Sequence, residues 1–233
     1  MSENVKEKKF AQLGLGLDEY SKSEVFPEDG NPREKMIELA KLIFDRKLTD
    51  SSGGNLSCRL NDKIYISPRY LGELMRFQLK MDEIITMNTD GEVLDGDPDM
   101  VTREGSIHIK VYNRFPGVKA LIHAHPKHVV ILSSLGIGVP SNTEMFKHII
   151  GPDPVEICDE VGPATDSLSK TILDRFERRE DCLNKYGAAV IMPNHGITVA
   201  ARNLDYAYCI LETIETSAYV HMQKTLLTGS KTL

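Results

Sequence analysis

The four cysteines, Cys58, Cys158, Cys182 and Cys209, stand far apart and form no C-x-x-C pair, which excludes a zinc ribbon and a thiol redox motif. They read as buried or incidental thiols of a reducing compartment. No apolar run approaches the roughly 20 residues that cross a bilayer, and Met1–Lys9 is too charged for a secretory signal. A cytoplasmic protein without a membrane partner is expected. No run of lysine and arginine interrupts the formal net charge of −6, so no nucleic acid is expected as a partner. An anionic ligand has to be caught by local groups. Repeats, low-complexity tracts and an evident linker are also lacking. Of the 233 residues, 41% are hydrophobic and 27% charged, an ordinary balance that is enough for one sizeable domain.

Residues 1–30 are polar and show no sustained period, so they are expected to form a flexible arm ahead of a domain spanning residues 31–233. Asn31, Pro32 and Glu34 give the capping residue, first-position proline and third-position carboxylate of a helix start. Met36, Ile37, Ala40, Ile43, Phe44 and Leu48 then mark one apolar helical face. Ser51–Ser57 leads into candidate strands at 56–60 and 63–67, joined by the turn residues Asn61 and Asp62. The paired glycines Gly53 and Gly54 fit either a plain turn or a backbone cradle for an oxyanion. A strand over 82–88 turns at Asp90-Gly91 into 92–94, so the first half reads as mainly antiparallel. From Thr102 the pattern is helical, with Ile107, Val111 and Tyr112 inward. Glu104 and His108 lie one turn apart on a shared face. A carboxylate there also suits the helix dipole alone. Further helices are expected over 127–135, 166–176 and 203–226, and strands over 155–159, 188–192 and 197–200.

The chemistry concentrates in Ala120-Leu-Ile-His-Ala-His125. On a strand, side chains alternate between faces, so His123 and His125 point the same way. Two imidazoles from one rigid element can grip a metal, and three ligands with one open position is the usual catalytic zinc arrangement. Taken alone, the pair equally fits one packed and one solvated histidine. His195, followed by Gly196 at a sharp strand end, offers a third ligand.

Four stretches in this order, Gly54-Asn55-Leu56-Ser57, Glu104 with His108, His123-Ala-His125 and Asn194-His195-Gly196, resemble the class II aldolase/adducin family from about residue 33 to 225. The resemblance implies a single three-layer α/β/α domain around a mostly antiparallel sheet, assembled as a homotetramer. It implies a divalent metal, most often Zn²⁺, held by His123, His125 and His195, with Glu104 as the catalytic acid/base. A dication offsets the negative charge that grows on a substrate's oxygens as a C–C bond breaks. The substrate class implied is a small hydroxy-ketone carrying phosphate or carboxylate. Relatives in the family also decarboxylate, dehydrate or epimerise, and adducin-like heads keep the fold without catalysis.

The chain departs from the pattern at the anion pocket. Gly54 and Asn55 are kept, as is Ser67-Pro68, but Arg69 and Tyr70 follow it, and Thr102-Arg103 replaces a serine pair. Guanidinium groups bind carboxylate or phosphate bidentately; Arg69 and Arg103 therefore join Gly54, Asn55 and Ser67 as candidate substrate-binding residues, or else point to solvent. The segment 141–146 lacks the tyrosine that assists protonation in the fuculose-phosphate branch. Glu144, Lys147 and Tyr219 are the candidate replacements. Glutamate at position 104, where the epimerase branch has aspartate, favours aldol cleavage over epimerisation.

Overall fold

The computed structural model describes residues 31–229; the arm expected over residues 1–30 lies outside them. Pro32 occupies the first position of helix α1 (Pro32–Asp45), which buries Met36, Leu39, Ala40 and Ile43. The chain then enters strand β1 (Asn55–Leu60) and turns at Asn61, whose φ of 52° is the left-handed conformation asparagine tolerates, into β2 (Lys63–Ile66). Strand β3 (Ile85–Asn88) and β4 (Val93–Asp95) follow. Beyond helix α2 (Gly105–Arg114) come β5 (Ala120–Ala124), α3 (Lys127–Ser134) and α4 (Glu144–Ile149). Helices α5 (Asp166–Glu177) and α6 (Glu180–Lys185) precede the hairpin of β6 (Gly187–Met192) and β7 (Gly196–Ala201), and α7 (Leu204–Thr228) closes the domain.

The seven strands form one sheet in the order β4-β3-β2-β1-β5-β7-β6, with every neighbouring pair antiparallel. Helices α1, α3 and α4 pack with α7 over one face. On the other, α2, α5 and α6 close a core of Ile64, Ile66, Ile85, Met87, Leu121, Val190 and Ala200 with Val111, Ile172 and Phe176. The expected three-layer α/β/α fold is therefore the one observed. Among the described residues no helix is long and apolar enough to cross a membrane.

Three local expectations are corrected. The strand expected over 155–159 is reduced to single bridges, Val139 with Val155 and Ile157 with Ile191; β6 is the sheet's edge, and this segment covers it with one rung before leaving. Asp82 and Glu83 of the expected 82–88 strand belong instead to a single turn of 3₁₀-helix, Met81–Glu83. The helix expected from Thr102 starts at Gly105, with Glu104 as its cap residue but without a capping hydrogen bond from the Glu104 side chain. That carboxylate is left for other work.

Candidate active site

Strand register decides which side chains meet. Asn55 of β1 pairs with His123 of β5, and His123 with Thr198 of β7, so the three residues sit side by side on one face of the sheet. His125 lies just past β5, where its backbone N–H donates to the Thr49 hydroxyl at 3.2 Å. His195 comes from the β6–β7 turn, shaped by Asn194 at φ 55°. A Cβ on Gly196 would stand 2.3 Å from the Ala124 carbonyl oxygen. Only glycine lets the turn press His195 against the end of β5.

The three rings converge. Centroids lie 4.8 Å apart for His123 with His125 and with His195, and 5.3 Å for His125 with His195; one nitrogen from each falls within 4.8 Å of the others. His123 Nδ1 is 3.1 Å from the Ile197 carbonyl oxygen, which can only accept, so that nitrogen carries the proton. His125 Nδ1 faces Ser52 Oγ at 3.0 Å and Asp50 Oδ1 at 3.3 Å. Because the Ser52 hydroxyl donates to Asp50, Nδ1 of His125 is again the donor. Both Nε2 lone pairs then point inward, only 3.0 Å apart. Two bare nitrogens at that distance repel unless a cation lies between them, and ligands on a tetrahedral ion with bonds of about 2.0–2.1 Å sit ~3.3 Å from one another. Burial lowers the pKa of His123, His125 and His195, so all three stay neutral and keep their lone pairs at pH 7. The set fits a divalent metal ion.

Glu104 closes the fourth side. Its Oε2 is 3.4 Å from His123 Nε2 and its Oε1 3.9 Å from His195 Nε2. Burial pushes its carboxyl up, but His123, the donated Asn55 amide, His195 and His108 together outweigh that and hold it below the ordinary glutamate value. An anionic carboxylate thus borders the histidines. The group opens into a cavity of about 340 Å³ whose lining includes Gly54, Asn55, Arg69, Tyr70, Arg103 and Glu104 with the three histidines.

Of the residues expected around the substrate's anion, Gly54, Asn55, Arg69 and Arg103 line this cavity. Gly54, at φ 116°, holds a conformation that side chains disfavour, and a Cβ there would meet the Phe77 ring at 2.9 Å. Arg69 is fixed by its backbone N–H to the Met100 carbonyl at 2.7 Å, while its buried Nε has no hydrogen-bond partner. Arg103 lies 3.7 Å from Glu73. Ser67 is not brought to the cavity: it is fully buried, and its hydroxyl accepts the Leu56 N–H at 3.1 Å, so it braces β1 instead. Glu144 and Lys147 pair with each other on α4, and Tyr219 packs on the His128 ring at 5.0 Å; none of the three is in the cavity lining.

Sequence reasoning missed Asp50, which orients His125, and Pro163 and Ala164, which reach the cavity from the loop before α5. No local pattern marks them. Asp50 acts through a contact 75 positions away in the chain.

A sheet of this topology carrying three converging histidines and a carboxylate defines a metal-site α/β/α protein. The Class II Aldolase and Adducin N-terminal domain family model matches residues 34–222, and the chain belongs to that family. It is 28% identical over 188 residues to an L-fuculose phosphate aldolase of Methanocaldococcus jannaschii, covering 80% of this chain and 93% of that one. It is also 25% identical over 190 residues to a 3-oxo-tetronate 4-phosphate decarboxylase of Haemophilus influenzae, covering 80% and 84%. A solved L-fuculose 1-phosphate aldolase superposes with a TM-score of 0.73 at 25% identity, over 84% of this chain and 87% of that one.

Proposed function

We propose that this protein is a metal-dependent aldolase that reversibly cleaves a small hydroxy-ketone bearing a phosphate or carboxylate into a ketone fragment, such as dihydroxyacetone phosphate, and an aldehyde. The observation that carries this reading is the placement of the Glu104 carboxylate against three neutral imidazoles at the base of one cavity. His123, His125 and His195 would hold the ion, Zn²⁺ being the best match to three nitrogens with one side open. When bound, the ion supplies a positive charge that stabilises the electron pair released toward the ketone fragment.

The chain's own residues do the rest. In condensation, Glu104 takes the proton from the carbon next to the carbonyl; in cleavage, the hydroxyl that becomes the aldehyde gives up its proton, the C–C bond breaks, and the carbon left on the ketone fragment is protonated through Glu104. Its lowered pKa keeps it ionised and ready to accept at neutral pH. Gly54, Asn55, Arg69 and Arg103 surround the anionic end of the substrate. The buried Nε–H of Arg69, which has no partner, is a donor available to that anion. Assembly as a homotetramer, as the family resemblance implies, would leave residues of a neighbouring copy to protonate the aldehyde oxygen.

The test is incubation of the zinc-loaded protein with dihydroxyacetone phosphate and a panel of short aldehydes, with condensation products read by mass spectrometry. A product with at least one aldehyde is expected. No product with any aldehyde would favour the second reading, decarboxylation of a 3-oxo acid phosphate. That reaction releases an electron pair at the same carbon position, and the relative from Haemophilus influenzae is named for it.

A further inference from the structure

Behind Glu104 a file of polar side chains runs into the core. Glu104, His108 and Tyr112 follow one another at successive turns of the α2 segment, and Asn55 and Ser57 alternate on β1. The helical period of about four and the strand period of two mesh like a zipper. Asn55 Nδ2 donates to Glu104 Oε2 at 3.1 Å. His108 Nε2 lies 2.6 Å from Asn55 Oδ1, and His108 Nδ1 lies 2.6 Å from Ser57 Oγ. Ser57 Oγ in turn is 2.7 Å from the Tyr112 hydroxyl. All five side chains are buried.

The direction of every bond in this file is fixed by the first. An ionised carboxylate only accepts, so Asn55 must turn its NH₂ to Glu104 and its oxygen to His108. His108 Nε2 must then carry a proton. Burial pushes the His108 pKa down to about 4, so the ring is neutral and Nδ1 is bare. Ser57 donates to that nitrogen, and its own oxygen accepts from Tyr112. Each donor points toward Glu104, and bonds aligned in one sense strengthen one another.

We propose that His108 is a positioning residue for Glu104: it locks the Asn55 amide in the orientation that holds the carboxylate at the metal-site histidines. The role rests on the reading of Glu104 as the acid/base group. Asn55 is accordingly committed at its oxygen and at one of its two N–H donors, and at most one N–H is left for a substrate. The file is no route for protons, because an amide cannot both take and pass one without changing its bonding. Without His108, the Asn55 oxygen loses its partner, the amide is free to swing away from the carboxylate, and Glu104 gains alternative rotamers.

Three variants test this: His108→Leu, His108→Gln, which retains one donor and one acceptor on a single planar group, and Tyr112→Phe, which removes only the far end. In zinc-loaded protein, His108→Leu is expected to lose about 10- to 100-fold in kcat, the range seen when the partner that orients a working side chain is removed. KM and zinc content should stay near wild type. His108→Gln should recover most of that loss, and Tyr112→Phe should cost only a few-fold.

A second readout needs no activity. In metal-free protein labelled with ¹⁵N-histidine, nitrogen-proton correlation spectra should show His108 protonated only at Nε2, and the Glu104 carboxyl ¹³C shift should move in His108→Leu but not in His108→Gln. A His108 protonated at Nδ1, or an unmoved Glu104 signal in His108→Leu, would overturn the proposal even if the protein turned out not to be an aldolase. So would full kcat in His108→Leu, or equal losses in both His108 variants. If wild type condenses no aldehyde while both spectra behave as expected, the aldolase reading fails and the positioning role stands.

Discussion

On the α7 side of the sheet, Leu56, Ile122 and Val199 lie in register across β1, β5 and β7; α1 packs over β1 and α7 over β5 and β7, with Ile210, Leu211 and Ile214 of α7 fully buried. On the opposite side, one residue along each strand, Asn55, His123 and Thr198 stand in register, and Ser57 and His108 continue the polar file inward. At this level the same three strands present hydrocarbon to one layer and titratable or hydrogen-bonding groups to the other, while further along Leu121 and Ala200 join the apolar core under α2. Each buried leucine or isoleucine contributes about 1.5–3 kcal/mol, whereas a satisfied hydrogen bond nets only about 0.5–1.5 kcal/mol and an unmade one costs more. Both faces of the sheet hold an apolar core, and at the site end of these strands it is the α7 face that carries it. The α2 face accepts a weaker return on burial in exchange for a fixed arrangement of Glu104 and the histidines.

If that division is sound, substitutions on the two faces should separate turnover from stability. The largest effect expected is in Glu104→Gln: turnover falls by about 10²–10⁴, the usual contribution of a positioned acid/base, while metal analysis still finds the ion. Loss of the metal would recast Glu104 as a ligand. Ile214→Ala, on the other face, should cost about 2–5 kcal/mol in urea unfolding and leave kcat per folded molecule unchanged. A lowered kcat there would mean that the α7 face also sets the geometry of the site.

A third effect is acid sensitivity of the polar face. Folded His108 does not take up a proton until about pH 4, against 6.5 for the free side chain. Between those values the unfolded chain binds more protons than the folded one, so stability falls as pH drops through this window, by on the order of 3 kcal/mol in full. Urea titrations from pH 7 to 4 should show this decline in wild type and a shallower one in His108→Gln. Parallel curves would place the acid sensitivity elsewhere.

How much of this was legible in the sequence follows from how local each feature is. The period of two put His123 and His125 on one side, and glycine after His195 marked a sharp turn, because both are properties of a few consecutive residues. Turn chemistry at Asn61 and Asp90-Gly91 worked for the same reason. Glu104 and His108 could be placed on one helical face, yet nothing local disclosed that Asn55 and Ser57, some 50 positions earlier, would interleave with them. The setting of Ser67 is hidden for a related reason: a serine before proline looks the same whether its hydroxyl faces a cavity or receives a neighbouring strand's N–H, as Ser67 does. Asp50 behind His125 likewise depends on a contact 75 positions long.

The most direct measurement is zinc stoichiometry by equilibrium dialysis on wild type and His123→Ala, since His123 is the histidine whose position the sheet register dictates. About one ion per chain in wild type, falling well below that in the variant with the fold intact by circular dichroism, is the expected result. Wild-type protein that binds far less than one zinc per chain, or a His123→Ala variant that binds as well as wild type, would contradict the three-histidine site and the enzyme reading built on it.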